Sequence, residues 1–222
     1  MLETIKEFKS RALEVRDYCK MIVTLEKIID SKGHPSERLR VSDDLFKTLK
    51  AGAYLVIYNL VESTMRNAIQ AIYDELRTEG VSYADARDEL KRVALRNLKN
   101  INLSDKDAHL RMGDISTNIL TIGFRADQLF SGNVDAKAIR DKAEEYGFSS
   151  TTDPKRTHNG APLLTIKTNR NDLAHGVKAF TEVGRGVSAV NLFRDQQRIA
   201  RYLLDILVHV RNYLDTQEYR RL

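Results

Sequence analysis

Proline and glycine are scarce in this chain of 222 residues, with three Pro and eleven Gly. Alternating runs rich in Val, Ile and Thr are scarce too, which argues against sheets and for helices. The single cysteine, Cys19, excludes an internal disulfide and fits a reducing compartment. Set in an apolar helical stretch, it reads as a buried structural thiol. No apolar run approaches the ~18 residues that span a bilayer, and no charged-then-apolar leader opens the sequence. The expected location is therefore the cytoplasm, away from membranes. Phosphate-cradling G-x-x-x-x-G-K-[ST], dinucleotide-type G-x-G-x-x-G and nucleophile-elbow G-x-S-x-G strings are missing, so nucleotide hydrolysis, Rossmann cofactors and α/β-hydrolase chemistry lack support. His34, His109 and His209 are scattered, and no compact carboxylate cluster accompanies them. Neither a metal site nor a cofactor is expected.

What is present is an ordinary globular composition, 42% hydrophobic and 30% charged, with a formal charge of +5 and a pI near 9.2. A modest positive balance is compatible with a polyanionic partner without establishing one. Ile5, Phe8, Ala12, Val15, Cys19, Ile22, Leu25 and Ile29 recur in steps of three and four, predicting an amphipathic helix over residues 2–29 that stops at Lys32-Gly33-His34-Pro35. A second helix is expected over residues 42–79, with Ser42 as its cap and Asp43 and Asp44 in its first turn. Its middle, residues 53–61, is apolar almost all round and belongs at the centre of a bundle. Shorter helices are expected over residues 82–98 and from an Asn133 cap to Tyr146, with the stretch between interrupted by Gly113, Gly123 and Gly132. We read residues 82–148 as an insertion beside the bundle. Residues 149–160 and 177–187 read as loops. Helices over 162–175, opened by Pro162 and closed by Gly176, and over 188–216 complete the set. In the last, Ile199, Leu203, Ile206, Val210 and Tyr213 share one face, while Arg194, Arg198 and Arg201 form an opposite face best read as solvated charge.

The chemistry concentrates in Arg170-Asn171-Asp172-Leu173-Ala174-His175. A histidine moves protons near neutral pH, and an arginine supplies a permanently charged fork for phosphate. Together they suit transesterification of RNA, in which the 2′-hydroxyl attacks the adjacent phosphorus and the 5′-oxygen leaves; no metal is needed. At about 100° per residue Asn171 and His175 fall roughly 40° apart, so Asn171 can hold the imidazole or a phosphate oxygen. Arg170 lies about 140° from His175. Either it curls back, or Arg and His converge on one phosphate from two subunits. The plainer alternative makes Arg170 a surface cation paired with Asp172, and His175 a polar residue suited to a helix C-terminus.

The string Asn169-Arg170-Asn171-Asp172-Leu173-Ala174-His175-Gly176 resembles the signature of HEPN domains, Arg and four to six residues, then His. Asn59-Leu60-Val61-Glu62-Ser63-Thr64-Met65-Arg66 and Gly132-Asn133-Val134-Asp135 leading to Tyr146-Gly147-Phe148 extend the resemblance to the MAE-type HEPN-like group over nearly the whole chain. It implies an all-α, antiparallel helical bundle forming a single domain over residues 1–222. It also implies a metal-independent endoribonuclease acting as a homodimer, with two motifs lining one cleft, in bacterial defence or toxin–antitoxin growth control beside a possible partner protein. By position, Arg170, Asn171 and His175 are the active-site candidates. HEPN toxins silenced by nucleotidylation carry a tyrosine two residues after the histidine; here that position is Val177, so such control is not implied.

Glu62 is the fourth catalytic candidate, orienting Arg170 or His175, or else making an ordinary ion pair with Arg66 one turn on. Arg66, Arg156, His158 and Lys178 are candidate substrate contacts. The alternative from another functional class is a non-catalytic helical module that binds RNA or a protein partner.

Overall fold

The computed structural model describes residues 1–30, 41–99, 119–122, 124–126, 129–130 and 132–221. The helix stop expected at residues 32–35, the Gly113 and Gly123 interruptions, and His34 and His109 lie outside them. Among the described residues the elements are helical: α1 (Leu2–Asp30), α2 (Asp43–Thr78), α3 (Asp88–Lys99), α4 (Ala136–Tyr146), α5 (Pro154–Thr157), a 3₁₀ turn (His158–Gly160), α6 (Pro162–Ala174), α7 (Phe180–Arg185) and α8 (Ala189–Asp215). The all-α expectation is met. Its four principal helices match residues 2–29, 42–79, 162–175 and 188–216 to within a residue or so at each end.

Helix α2 is the hub. Ser42 caps it by accepting from the Leu45 amide at 3.2 Å, and burial runs along it from Phe46 through Tyr54, Ile57, Tyr58, Val61, Met65 and Ile69 to Leu76. Helices α1, α6, α7 and α8 all pack against it. From α1 come Phe8, Val15, Cys19 and Ile22; Ile29, expected on the same stripe, is 46% exposed. From α8 come the expected Ile199, Leu203, Ile206, Val210 and Tyr213. On its outer face Arg198 pairs with Asp195 at 3.2 Å and Arg201 with Asp205 at 3.3 Å, consistent with a solvated charged face. The buried Lys50 of α2 donates to the Val187 carbonyl at 2.8 Å and fastens the approach to α8.

Local expectations needed correction in four places. The helix expected from residue 82 starts at Asp88. The preceding residues turn, because the C-terminal chain takes their backbone groups: the Arg87 amide donates to the Tyr219 carbonyl at 2.9 Å and the Arg221 amide to Asp85 at 2.7 Å. The cap of α4 is Asp135, accepting from the Ala138 amide at 2.9 Å, while Asn133 is engaged elsewhere. The stretch 149–160 contains α5, where Asp153 caps and Pro154 opens a short helical turn. The 177–187 stretch contains α7, stabilised by packing rather than by propensity. Gly184 lies so close to α2 that a Cβ there would overlap the Lys47 carbonyl.

Two measurements check this packing. Gly184→Ala forces α7 off α2 and is expected to lower stability by about 2 kcal/mol or more in denaturant titration; an unchanged midpoint would contradict the close approach. Burial pushes the Cys19 thiol up to about 12. At pH 8 the native thiol should resist alkylation while the unfolded chain, with a thiol near pKa ~8.5, reacts; equal rates would show that Cys19 is accessible.

Candidate functional site

Helix α6 carries the Arg170–His175 string and ends in a tight stop. The Val177 amide donates to the Asp172 carbonyl at 2.8 Å and the Gly176 amide to Leu173 at 3.3 Å, a Schellman arrangement with Gly176 left-handed at φ +66°. His175 is therefore the last half-helical residue, exposed at the helix end, and among the described residues no group hydrogen-bonds its ring.

Arg170 points the other way. Its guanidinium lies over the Tyr58 ring, 4.4 Å from the centroid, and Nη1 donates to Asn171 Oδ1 at 3.0 Å. A cation over an aromatic face is worth about 0.5–2 kcal/mol, more as it is desolvated. Asn171 in turn donates from Nδ2 to Asn133 Oδ1 at 3.0 Å. Asn171 is thus committed to Arg170 and to the segment before α4; among the described residues its side chain does not hold the imidazole. Gly132 flanks the guanidinium, and a Cβ there would stand 3.5 Å from Nη1.

Tyr58 joins these parts. Its hydroxyl accepts from the buried Val134 amide at 3.1 Å and also interacts with Glu62. Burial pushes the phenol above its ordinary range, the Val134 amide and Arg170 pull it back in part, and Glu62 adds to the rise, so Tyr58 stays neutral. Glu62 also accepts from Arg66 at 2.6 Å, with 18% of its side chain exposed. Glu62 thus makes the one-turn ion pair and borders the ring on which Arg170 rests; among the described residues it forms no hydrogen bond or ion pair with Arg170 or His175.

The other candidates lie apart. Lys178, exposed, pairs with Asp172 at 2.7 Å, close to His175 in the chain. Arg156, exposed, pairs with Asp153 at 3.5 Å. His158 is also exposed and, with Arg156, precedes the N-terminal end of α6. Since α6 has 13 residues, its two ends are about 20 Å apart. Sequence reasoning did not single out Tyr58 or Asn133 for the site. Tyr58 was legible as the residue one turn before Glu62; Asn133 was named, though as a cap.

A family model described as MAE_28990-like HEPN matches residues 1–219. The chain belongs to this HEPN family. No curated protein and no solved structure matches it. HEPN domains are generally associated with endoribonuclease activity, and their members are often dimeric. In this HEPN chain Arg170 packs against Tyr58 while His175, at the end of the same helix, is exposed. No helix of the described residues is long and apolar enough to cross a membrane.

Tyr58→Phe separates the ring from the hydroxyl. The ring still supports Arg170, while the buried Val134 amide loses its acceptor, so stability should fall by about 1–3 kcal/mol in chemical denaturation. No loss would mean that the hydroxyl does not anchor the 132–135 segment.

Proposed function

We propose that this HEPN protein is an endoribonuclease that cuts RNA without a metal, working as a single domain over residues 1–222 with 82–148 inserted beside the bundle. One observation carries the reading. Arg170 is held by the Tyr58 face and Asn171, yet among the described residues no carboxylate forms an ion pair with it. A preorganised, uncompensated guanidinium suits the charge that develops on a phosphate in the transition state.

In the reaction the RNA 2′-oxygen loses its proton and bonds to the adjacent phosphorus. The bond from phosphorus to the 5′-oxygen breaks, and that oxygen takes up a proton. The ends are a 2′,3′-cyclic phosphate and a 5′-hydroxyl. His175 transfers the proton, Arg170 stabilises phosphate charge, and Asn171 orients Arg170. Glu62 supports Tyr58 beneath it, and Arg66 and Lys178 are candidate contacts to the RNA backbone.

The same geometry supports a cleft shared by two subunits. His175 is exposed at the helix end while Arg170 turns inward, and no bond joins them. Beside His175, Val177 is 69% and Phe180 38% exposed, apolar surface suited to a second copy. The setting we propose is bacterial defence or toxin–antitoxin control, with a partner protein restraining the activity.

The test is cleavage of mixed RNA in EDTA. Folded Arg170→Ala and His175→Ala variants should each lose about 10²-fold or more in rate. Coexpressed as a mixed dimer, the two variants should recover measurable cutting, because one cleft then holds an intact Arg and an intact His. RNA binding by all forms with cutting by none would leave a non-catalytic binding module. Cutting without recovery in the mixed dimer would place both groups in one subunit.

A further inference from the structure

A cavity of about 970 Å³ opens beside the N-terminal half of α6, between α4, the 149–161 stretch and α8. That volume suits a ligand of one nucleotide's size. The cavity has three unusual features. First, Tyr202 of α8 lines it and is only 1% exposed, and its buried hydroxyl makes no hydrogen bond. A buried hydroxyl without a partner is uncommon and unfavourable. Second, Arg140 of α4 lines it and approaches that hydroxyl without forming a good hydrogen bond. No carboxylate pairs with Arg140 among the described residues. Third, His158, Asn159 and Gly160 form three consecutive left-handed residues on the cavity wall, with φ of 52°, 53° and 75°.

The turn is held in this costly conformation from two sides. Thr157, fully buried, accepts the Asn159 amide at 3.2 Å through Oγ1. Gly160 presses against α4 and α8, where a Cβ would stand 2.8 Å from Ala136 Cβ and 2.9 Å from Tyr202 Cε2. Nothing in the packing uses the His158 side chain, which is exposed. The one acidic group on the wall, Asp135, is already compensated. Burial pushes its carboxyl up, but Lys167 and the Ala138 amide overcome this and hold it below its ordinary range. The cavity therefore presents an exposed, unpaired cation and an exposed imidazole next to the apolar side chains of Leu164 and Pro154, with the unused Tyr202 hydroxyl buried at its wall.

We propose that this cavity binds one nucleotide unit. Its phosphate would accept from Tyr202 and Arg140, and its ring would lie against the apolar wall with His158 beside it. The unit is either a free nucleoside monophosphate or a residue of an RNA strand; only the second source rests on the ribonuclease reading. Leu164 is six residues from Arg170, about 9 Å along the helix, so a strand seated here can continue toward Arg170. The two places also share a support. In the 132–136 segment, Gly132 and Asn133 face Arg170 and Asn171, Val134 meets Tyr58, and Asp135 and Ala136 line the cavity.

The experiment is calorimetric titration of the full chain with AMP, GMP, CMP and UMP, and with adenosine and inorganic phosphate as controls. Tyr202→Phe and Arg140→Gln are titrated in parallel, with thermal unfolding to verify that each is folded. At least one monophosphate should bind, and adenosine and phosphate alone should bind about tenfold or more weakly. Each substitution should weaken the monophosphate by about tenfold. No binding of any monophosphate, phosphate binding as tightly as the nucleotides, or unchanged affinity in both folded variants would overturn the assignment. To separate the sources, His175→Ala protein loaded with the monophosphate is challenged with a short oligoribonucleotide. Displacement assigns the cavity to RNA; RNA binding without displacement overturns that source and leaves the free nucleotide. Nucleotide binding without RNA cutting would sink the ribonuclease reading and keep the cavity, and cutting without nucleotide binding would do the reverse.

Discussion

The 36 residues of α2 bury side chains from Phe46 to Leu76 on nearly every side, and a helix of that kind must be enclosed. Each other major helix can be understood as one side of the enclosure. Helix α1 and α8 supply single apolar faces, α6 lays Leu163, Ile166 and Leu173 inward, and α7 is short enough for a glycine to rest on the α2 backbone. The hydrophobic effect fixes only that α2 be covered. The cover also carries the candidate site, because α6 reaches the bundle with Arg170 against Tyr58 of α2.

Around that contact the bundle does something a pair of helices could not. Tyr58 accepts from the backbone of a segment more than seventy residues away, and Asn171 reaches the same segment. The guanidinium is therefore held by three separate stretches of chain: the aromatic face from α2, the amide from α6 and the glycine before α4. Holding a charge in place before substrate arrives is what electrostatic catalysis requires, since reorganisation during the reaction is avoided. His175, by contrast, sits on a helix end defined by two backbone hydrogen bonds and Gly176, where it meets solvent or a second molecule.

Much of the architecture was legible from spacing. The α8 stripe, most of the α1 stripe, the capping by Ser42 and the stop at Gly176 each follow from local rules and appear where those rules put them. Illegible parts depended on distant partners. Residues 82–87 looked helical until the C-terminal chain claimed their backbone groups, and 177–187 looked like a loop until α2 offered a surface for Gly184. Asn133 had good capping chemistry, yet Asp135 two residues on took the cap and freed Asn133 for Asn171. Choices of that kind are settled by neighbours that periodicity cannot reveal.

By itself, then, the sequence determined an all-helical chain, a central apolar helix and an Arg-to-His string at the end of another, because helix periodicity, capping and stopping are written within a few residues of one another. Tertiary structure decided which way the string faces. Packing α6 on α2 turned Arg170 onto Tyr58, tied Asn171 to Asn133 and left His175 exposed, since only the folded chain brings residues 58, 133 and 170 together.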